Sequence, residues 1–207
     1  MRIGIDFDNT IAGFDDVFVE TARAMGLVDT RYRGHKRALR DTIRDLPDGE
    51  LAWQRLQGRV YGAGMASARL IDGVDAFLHR SRAAGEPVFI VSHKTEYGHH
   101  DPEAINLRQA ALDWMTAHGF FRGDDNGYGL RLQNVFFEAT RQKKLERIAA
   151  LECTVFIDDL EEVLLDPAFP VGVTRVLFAE SRNGIPPGVV HCRTWRQILE
   201  VVFDEPR

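Results

Sequence analysis

The stretch that decides the fold is IGIDFDNT, residues 3–10. Its apolar, β-branched start predicts a short buried strand, and two carboxylates follow where that strand ends. Asp6 and Asp8 stand two residues apart, so one can attack a substrate while the other moves a proton. The turn that carries Phe7 and Thr10 can aim backbone N–H groups at an anion, so we predict that both residues contact the substrate.

Four further runs resemble this first strand, because they are rich in β-branched and aromatic residues and helical patterns separate most of them. Including the first, the predicted strands are residues 3–7, 88–92, 135–138, 155–158 and 173–178. Helices are predicted from Leu70 to Ala84, after the capping sequence Asp101-Pro102, and after Thr140. Apolar strands that alternate with helices indicate a doubly wound α/β fold with a parallel sheet.

Residues 14–68 interrupt this alternation. They contain helical patterns but no convincing strand pattern, and a connection of this length is too long for a simple crossover between two strands. We therefore predict a small helical cap, residues 14–68, inserted into an α/β core domain that consists of residues 1–13 and 69–207.

Polar residues follow three of the other predicted strands. Ser92 ends the second strand, Lys143 and Lys144 lie near the start of the helix after the third, and Asp158 and Asp159 end the fourth. The carboxyl ends of parallel strands meet at one edge of a sheet, so we expect these residues to converge on the two acids of the first strand. The sequence thus predicts an acidic pocket that contains a hydroxyl and an amine.

This order of residues resembles the four motifs of the haloacid dehalogenase superfamily. DFDNT resembles the first motif, DxDxT, Ser92 the second, the lysine the third and the acid pair the fourth. Thr140 and Lys144 match the Thr-Arg-x-x-Lys pattern of the family, which favours Lys144 over Lys143. The resemblance implies a Rossmann-like sheet, and the helical insert matches the cap that one branch carries between its first and second motifs.

The resemblance also implies phosphate ester chemistry. With Asp8 two residues after the nucleophile, the sequence resembles the phosphatases and phosphomutases of the family, which carry an aspartate at this position. The dehalogenase branch usually carries another residue there. Asp6 would form an aspartyl-phosphate, and Asp8 would act as general acid and then as general base. Ser92 would donate a hydrogen bond to the phosphoryl group, and Lys144 would neutralise its developing charge. Lys143 remains a candidate for substrate binding.

A magnesium ion is the implied cofactor. Several carboxylates in one pocket repel one another unless a cation joins them, and a site made of oxygen ligands suits Mg²⁺. By resemblance the ligands are the Asp6 carboxylate, the Asp8 backbone carbonyl and one or both of Asp158 and Asp159. Of that pair, we favour Asp159 as the direct ligand.

The loop after Ser92 contains further polar residues. His93 and Lys94 are predicted to contact the substrate, although a polar surface loop would look the same. His99 and His100 have no assigned role, and a zinc site is not favoured because no partner cluster is visible. A basic stretch in the insert, residues 31–44, is interpreted as a solvated helix rather than as a face for an anionic substrate.

Composition limits the classes of partner. The net charge of −5 disfavours a nucleic-acid polymer or an anionic membrane as the main partner. Cys153 and Cys192 are too few for a disulfide scaffold, and neither a signal peptide nor a membrane span is visible, so we expect a cytoplasmic protein with reduced thiols. The oligomeric state stays open.

The sequence as a whole predicts a magnesium-dependent phosphomonoesterase that acts on a small phosphorylated metabolite, such as a sugar phosphate or a nucleotide. One alternative is a signalling module that keeps a phosphoaspartate, although response-regulator receivers usually lack a helical insert and carry the phosphorylated aspartate on a later strand. The other alternative is a non-catalytic protein of the same fold that binds a partner through its cap.

Overall fold

A computed structural model of the protein describes residues 1–98, 103–180 and 187–204. The chain divides into two compact units: unit 1 contains residues 1–12, 70–94 and 118–207, and unit 2 contains residues 13–69 and 95–117. In chain order, the strands and α-helices are β1 (Ile3–Ile5), β2 (Ala12–Gly13), α1 (Asp15–Ala24), α2 (Lys36–Arg44), α3 (Gly49–Tyr61), β3 (Arg69–Leu70), α4 (Val74–Ala83), β4 (Val88–His93), α5 (Leu107–Ala117), β5 (Val135–Glu138), α6 (Arg141–Ala150), β6 (Val155–Asp158), α7 (Glu161–Leu164), β7 (Thr174–Phe178), β8 (Val189–Cys192) and α8 (Trp195–Leu199).

Unit 1 is built on a parallel sheet. Within the described ranges the sheet has six strands in the order β5-β4-β1-β6-β7-β8, so the chain winds outward from β1 in both directions. In the register, Ile5 pairs with Ile90 of β4 on one side and with Ile157 of β6 on the other. The carboxyl end of β1 is therefore the point where the strand order reverses, which is where open α/β sheets bind ligands.

Buried apolar side chains join the sheet to its helices. Helices α6 and α7 contribute Leu145, Ile148, Val163 and Leu164 to a core shared with β4, β6 and β7. Another cluster surrounds Trp195 of α8, whose ring lies 5.0 Å from that of Phe77 in α4. Each strand of this sheet is short, so the positions of its carboxyl ends are set by these helices as well as by the strand pairing.

Unit 2 is mainly helical. It contains α1, α2, α3, α5 and a 3₁₀ turn at Ala63–Ser67. Its core is aromatic: the Phe18 and Trp53 rings are stacked with centroids 5.3 Å apart, and Phe14 meets Tyr61 edge-on at 4.9 Å. The Trp114 indole of α5 donates a hydrogen bond to the Ala68 carbonyl at 2.8 Å.

The fold class is confirmed, and most predicted elements occur with small changes at their ends. The prediction that a helix starts directly after Asp101-Pro102 is wrong for residues 103–106, which are not helical. Helix α5 begins at Leu107. Asn106 caps that helix by accepting hydrogen bonds from the backbone N–H groups of Arg108 and Gln109. The residues 101 and 102 themselves lie outside the described ranges.

The predicted domain boundaries differ from the observed units in one respect. Unit 2 contains residues 95–117, which the sequence assigned to the core, in addition to the 13–69 stretch that nearly matches the predicted cap. Strand β8 and the short pair β2 and β3 were not predicted. No helix in the described ranges is long and apolar enough to cross a membrane.

Candidate active site

The turn that follows β1 is held in place by backbone hydrogen bonds. The Asp6 N–H donates to the Ile157 carbonyl of β6 at 2.9 Å, and the Ile11 N–H donates to the Phe7 carbonyl at 2.9 Å. Asn9 has φ of 60°, a left-handed conformation that asparagine tolerates better than most residues. Trp195 also anchors the turn, since its indole N–H donates to the Thr10 carbonyl at 2.9 Å.

Lys144 lies at the centre of the acidic pocket. Helix α6 begins where Thr140 accepts a hydrogen bond from the Lys143 N–H, and Lys144 follows on the buried face with 1% of its surface exposed. The Lys144 Nζ donates to Asp6 Oδ1 at 2.7 Å and to Asp158 Oδ2 at 2.6 Å. One ammonium group therefore bridges the carboxylates of two neighbouring strands.

Burial and charge act in opposite directions on this group. Burial by itself lowers the pKa of Lys144, but the charges of Asp6 and Asp158 outweigh it and raise the pKa above the usual lysine value. Burial also raises the pKa of Asp158 above the usual aspartate value, and Asp6 adds to that rise while Lys144 opposes it. Two carboxylates share one ammonium group, so the cluster carries an excess of negative charge when both are ionised.

Three carboxylates form a candidate metal centre. Asp6, Asp158 and Asp159 each offer an oxygen, and these oxygens lie within 4.8 Å of one another. Asp158 Oδ2 accepts from Lys144 and its Oδ1 accepts from the Leu160 N–H at 2.9 Å, whereas Asp159 is half-buried. An all-oxygen donor set that is short of positive charge fits Mg²⁺. The structure thus brings Asp158 and Asp159 close to Asp6, as the sequence predicted.

Asp8 lies in the same turn but has a different partner. The Lys94 Nζ lies 3.0 Å from Asp8 Oδ1 and 2.8 Å from Asp8 Oδ2. The Asp8 carboxylate is therefore paired with an ammonium group. The resemblance assigned the Asp8 backbone carbonyl, and not this carboxylate, as a metal ligand. Sequence reasoning named Lys94 as a substrate contact and missed this ion pair, because the two residues stand 86 positions apart.

The remaining predicted site residues separate into two groups. Ser92 is buried near the end of β4, and Thr10 is buried with no hydrogen-bond partner for its Oγ1 among the described residues. Phe7 is a core residue whose ring lies 6.3 Å from that of Phe137, so its side chain is not exposed to a substrate. Two others are exposed: His93, whose Nε2 lies 3.1 Å from the Ala139 carbonyl, and Lys143.

The histidines whose role the sequence left open, His99 and His100, lie outside the described residues. Of the two candidate lysines, Lys144 contacts the carboxylates and Lys143 is exposed. The Trp195 anchor was not found from the sequence, because no pattern links a tryptophan near the end of the chain to a turn near its start.

Sequence comparisons find no match, whereas structural comparisons find proteins of similar fold. No model of a known protein family matches the sequence, and no curated protein matches it. Protein tyrosine kinase A (PtkA) of Mycobacterium tuberculosis superposes with a TM-score of 0.63 at 18% identity, covering 98% of each chain. The haloacid dehalogenase-like family hydrolase SP0104 of Streptococcus pneumoniae gives 0.61 at 12% identity, covering 97% of each chain.

A third solved structure, the L-2-haloacid dehalogenase RSc1362, gives a TM-score of 0.55 at 14% identity over 97% of each chain. The parallel sheet, with carboxylates at the reversal point of its strand order, makes the protein an α/β protein of the doubly wound class. More specifically, the chain has the fold of the haloacid dehalogenase-like hydrolases, as its motifs predicted. These neighbours differ in the reactions that their names state, so the reaction has to be inferred from the pocket.

Proposed function

We propose that the protein is a magnesium-dependent phosphomonoesterase that acts on a small phosphorylated metabolite through an aspartyl-phosphate on Asp6. The observation that carries the proposal is the position of Lys144, whose ammonium bridges Asp6 and Asp158 inside a cluster that also contains Asp159. This arrangement supplies a nucleophile, a fixed positive charge and an oxygen-lined metal centre within one pocket of unit 1.

The charge balance of the pocket supports this chemistry. Asp6, Asp158 and Asp159 bring three negative charges when ionised, and Lys144 brings one positive charge. The difference is two negative charges, which one divalent cation balances. A haloacid substrate has no phosphate dianion and therefore needs no cation to offset that charge. The acidic excess, which a divalent cation balances, thus favours phosphoryl transfer over dehalogenation.

In the first step, an Asp6 carboxylate oxygen forms a bond to phosphorus while the bond from phosphorus to the leaving oxygen breaks. Asp8 donates a proton to that leaving oxygen, so the alcohol departs neutral. Lys144 keeps the Asp6 carboxylate in place and offsets negative charge on the transferred group. Ser92, at the end of β4, is suited to donate its hydroxyl proton to a phosphoryl oxygen.

In the second step, Asp8 takes a proton from a water molecule that attacks the phosphorus of the aspartyl-phosphate. The bond from phosphorus to the Asp6 oxygen breaks, inorganic phosphate leaves, and the Asp6 carboxylate is restored. Mg²⁺, held by Asp6, Asp159 and the Asp8 backbone carbonyl, would supply Lewis-acid stabilisation of the phosphoryl oxygens.

The substrate class is narrower than phosphate esters in general. We propose a soluble metabolite such as a sugar phosphate or a nucleotide, whose leaving group the helical cap predicted from the sequence would select. The net charge of −5 supports a small substrate over a nucleic-acid polymer.

The test is phosphate release from a panel of phosphorylated metabolites in the presence of Mg²⁺, with wild-type protein, Asp6→Asn and Asp8→Asn. Wild-type turnover that is lost in Asp6→Asn supports the mechanism, and equal activity in both proteins rejects it. Halide release from 2-haloacids, measured in parallel, would identify a dehalogenase instead. A long-lived aspartyl-phosphate without turnover would identify a signalling module, and failure to bind Mg²⁺ would favour a non-catalytic binding protein.

A further inference from the structure

Lys94 occupies an unusual position for a lysine. It directly follows β4, and its backbone N–H donates to the Glu138 carbonyl of β5 at 2.9 Å. Only 4% of its surface is exposed, and its Nζ lies 5.7 Å from the centre of the Phe7 ring. Lysine is rarely buried to this degree unless its charge is paired, because removing an ammonium group from water is costly.

The charge of Lys94 is paired with Asp8 through both carboxylate oxygens, at 3.0 Å and 2.8 Å. The Lys94 side chain is 3% exposed and that of Asp8 is 19% exposed, so Asp8 is the member of the pair that reaches solvent. A cation that contacts both oxygens fixes the torsion of the carboxylate as well as its distance. The backbone of Lys94 is itself fixed by β5, so the contact is built into the sheet.

We infer that Lys94 is the positioning residue for Asp8. It aims the Asp8 carboxylate at the leaving group, and it acts through Asp8 instead of through a contact with the substrate. This inference rests on the proposed function, in which Asp8 transfers the proton. It replaces the simpler expectation that Lys94 binds the phosphate group, since its ammonium is turned toward Asp8 within hydrogen-bond distance.

Positioning has a kinetic signature that substrate binding lacks. Proton transfer from Asp8 matters for an alkyl phosphate, whose alkoxide leaves poorly, and matters little for p-nitrophenyl phosphate, whose phenolate leaves without a proton. A misplaced Asp8 should therefore slow formation of the aspartyl-phosphate from the first substrate much more than from the second, whereas the later hydrolysis step, in which Asp8 is the base, is common to both. Loss of a direct phosphate contact would weaken the binding of both substrates alike.

The experiment compares wild-type protein, Lys94→Met, Asp8→Asn and the double variant on an alkyl phosphomonoester and on p-nitrophenyl phosphate with Mg²⁺. We expect Lys94→Met to lower the rate constant for release of the alcohol from the alkyl ester in a single turnover by about 10²-fold, the loss typical of a displaced catalytic group. We expect a much smaller loss in the rate constant for release of p-nitrophenol from p-nitrophenyl phosphate, and similar binding of both esters. In the Asp8→Asn background, Lys94→Met should cause no further loss on the alkyl ester.

Equal losses of this rate constant on both esters, or weaker substrate binding with an unchanged rate constant, would overturn the inference. If the wild-type protein releases phosphate from neither ester, the proposed function fails. Thermal unfolding then still tests whether Lys94 and Asp8 are energetically coupled. The melting temperature should then fall less in the double variant than the sum of the two single variants, because each single change leaves the partner group without its match.

A matched control for that cycle is the exposed pair of Arg44 and Glu50, joined at 2.7 Å. Arg44→Met and Glu50→Gln should shift the melting temperature additively, since exposed ion pairs couple weakly. Additive shifts for Lys94→Met and Asp8→Asn as well would show that the two residues are not coupled, and would overturn the inference independently of any activity.

Discussion

Two lysines, one in each unit, are held in contrasting ways. Lys144 in unit 1 is buried and contacts the carboxylates of Asp6 and Asp158 at 2.7 and 2.6 Å. Lys36 in unit 2 is half-buried, donates to the Tyr61 hydroxyl at 2.9 Å and lies 4.7 Å from the centre of the Phe18 ring. Lys144 thus contacts full charges, whereas the contacts of Lys36 include aromatic rings and a neutral oxygen.

The contrast separates chemistry from packing. Buried ion pairs contribute little net stability, because the cost of desolvating each charge offsets their attraction, and apolar replacements are often as stable. A cluster of buried charges at the strand ends is therefore hard to explain by stability alone, and it supports the proposed reaction. The Lys36 cluster has the ordinary energetics of a partly exposed cation on aromatic rings and needs no catalytic explanation.

The largest expected effect is on the nucleophile. Asp6→Asn should lower the rate of phosphate release by about 10⁴-fold or more, because an amide cannot form the aspartyl-phosphate. The measurement is initial-rate release of phosphate at saturating substrate. Asp125→Asn, which changes an exposed aspartate in unit 1, should retain the wild-type rate. Comparable rates for Asp6→Asn and Asp125→Asn would contradict the role of Asp6.

The second prediction concerns the central lysine. Lys144→Met should lower the free energy of unfolding by about 3–5 kcal/mol, because it leaves two buried carboxylates without their counter-charge. Urea titration followed by circular dichroism measures the change. Lys143→Met, on the exposed side of the same helix, should change the free energy by no more than about 0.5 kcal/mol. A similar loss in both variants would mean that the carboxylates are not compensated by Lys144.

The third prediction concerns Mg²⁺. A ligand at 100 times its dissociation constant stabilises the folded state by about 2.7 kcal/mol, so the melting temperature should rise with Mg²⁺ and fall again after chelation. Calorimetry at constant ionic strength measures this shift. Asp159→Asn should reduce the shift by removing one oxygen of the cluster. A shift of the same size in that variant would indicate that Mg²⁺ binds elsewhere.

The smallest expected effect is in unit 2. Lys36→Met should lower the free energy of unfolding by about 1 kcal/mol, because a partly exposed cation on aromatic rings contributes about that much. The change can be measured by denaturant titration with the fluorescence of Trp53, which is stacked on Phe18. Tyr61→Phe removes only the hydroxyl acceptor and should cost less. If Lys36→Met lowered the free energy of unfolding as much as Lys144→Met, the two lysines would not differ in their contribution to stability.

The fold was largely predictable because its strands carry a local signal. The runs at residues 135–138 and 155–158 match β5 and β6 at both ends, and Thr140 caps α6 as its sequence indicated. Strand β8 was missed, since Val189–Cys192 is short and ends in His191 and Cys192 without a clear periodic pattern. The start of α5 was misplaced because Asp101-Pro102 is a strong capping signal, while the capping residue that the structure uses is Asn106.

The sequence by itself determined that acids, a hydroxyl and a lysine follow successive parallel strands, because strand and helix periodicity are properties of neighbouring residues. Only the tertiary structure decided that Lys94 pairs with Asp8, that Trp195 anchors the turn at Thr10, and that residues 95–117 join unit 2. These contacts join residues that are distant in the chain, and their geometry depends on the order of the strands and the packing of the helices. Local patterns carry no information about either.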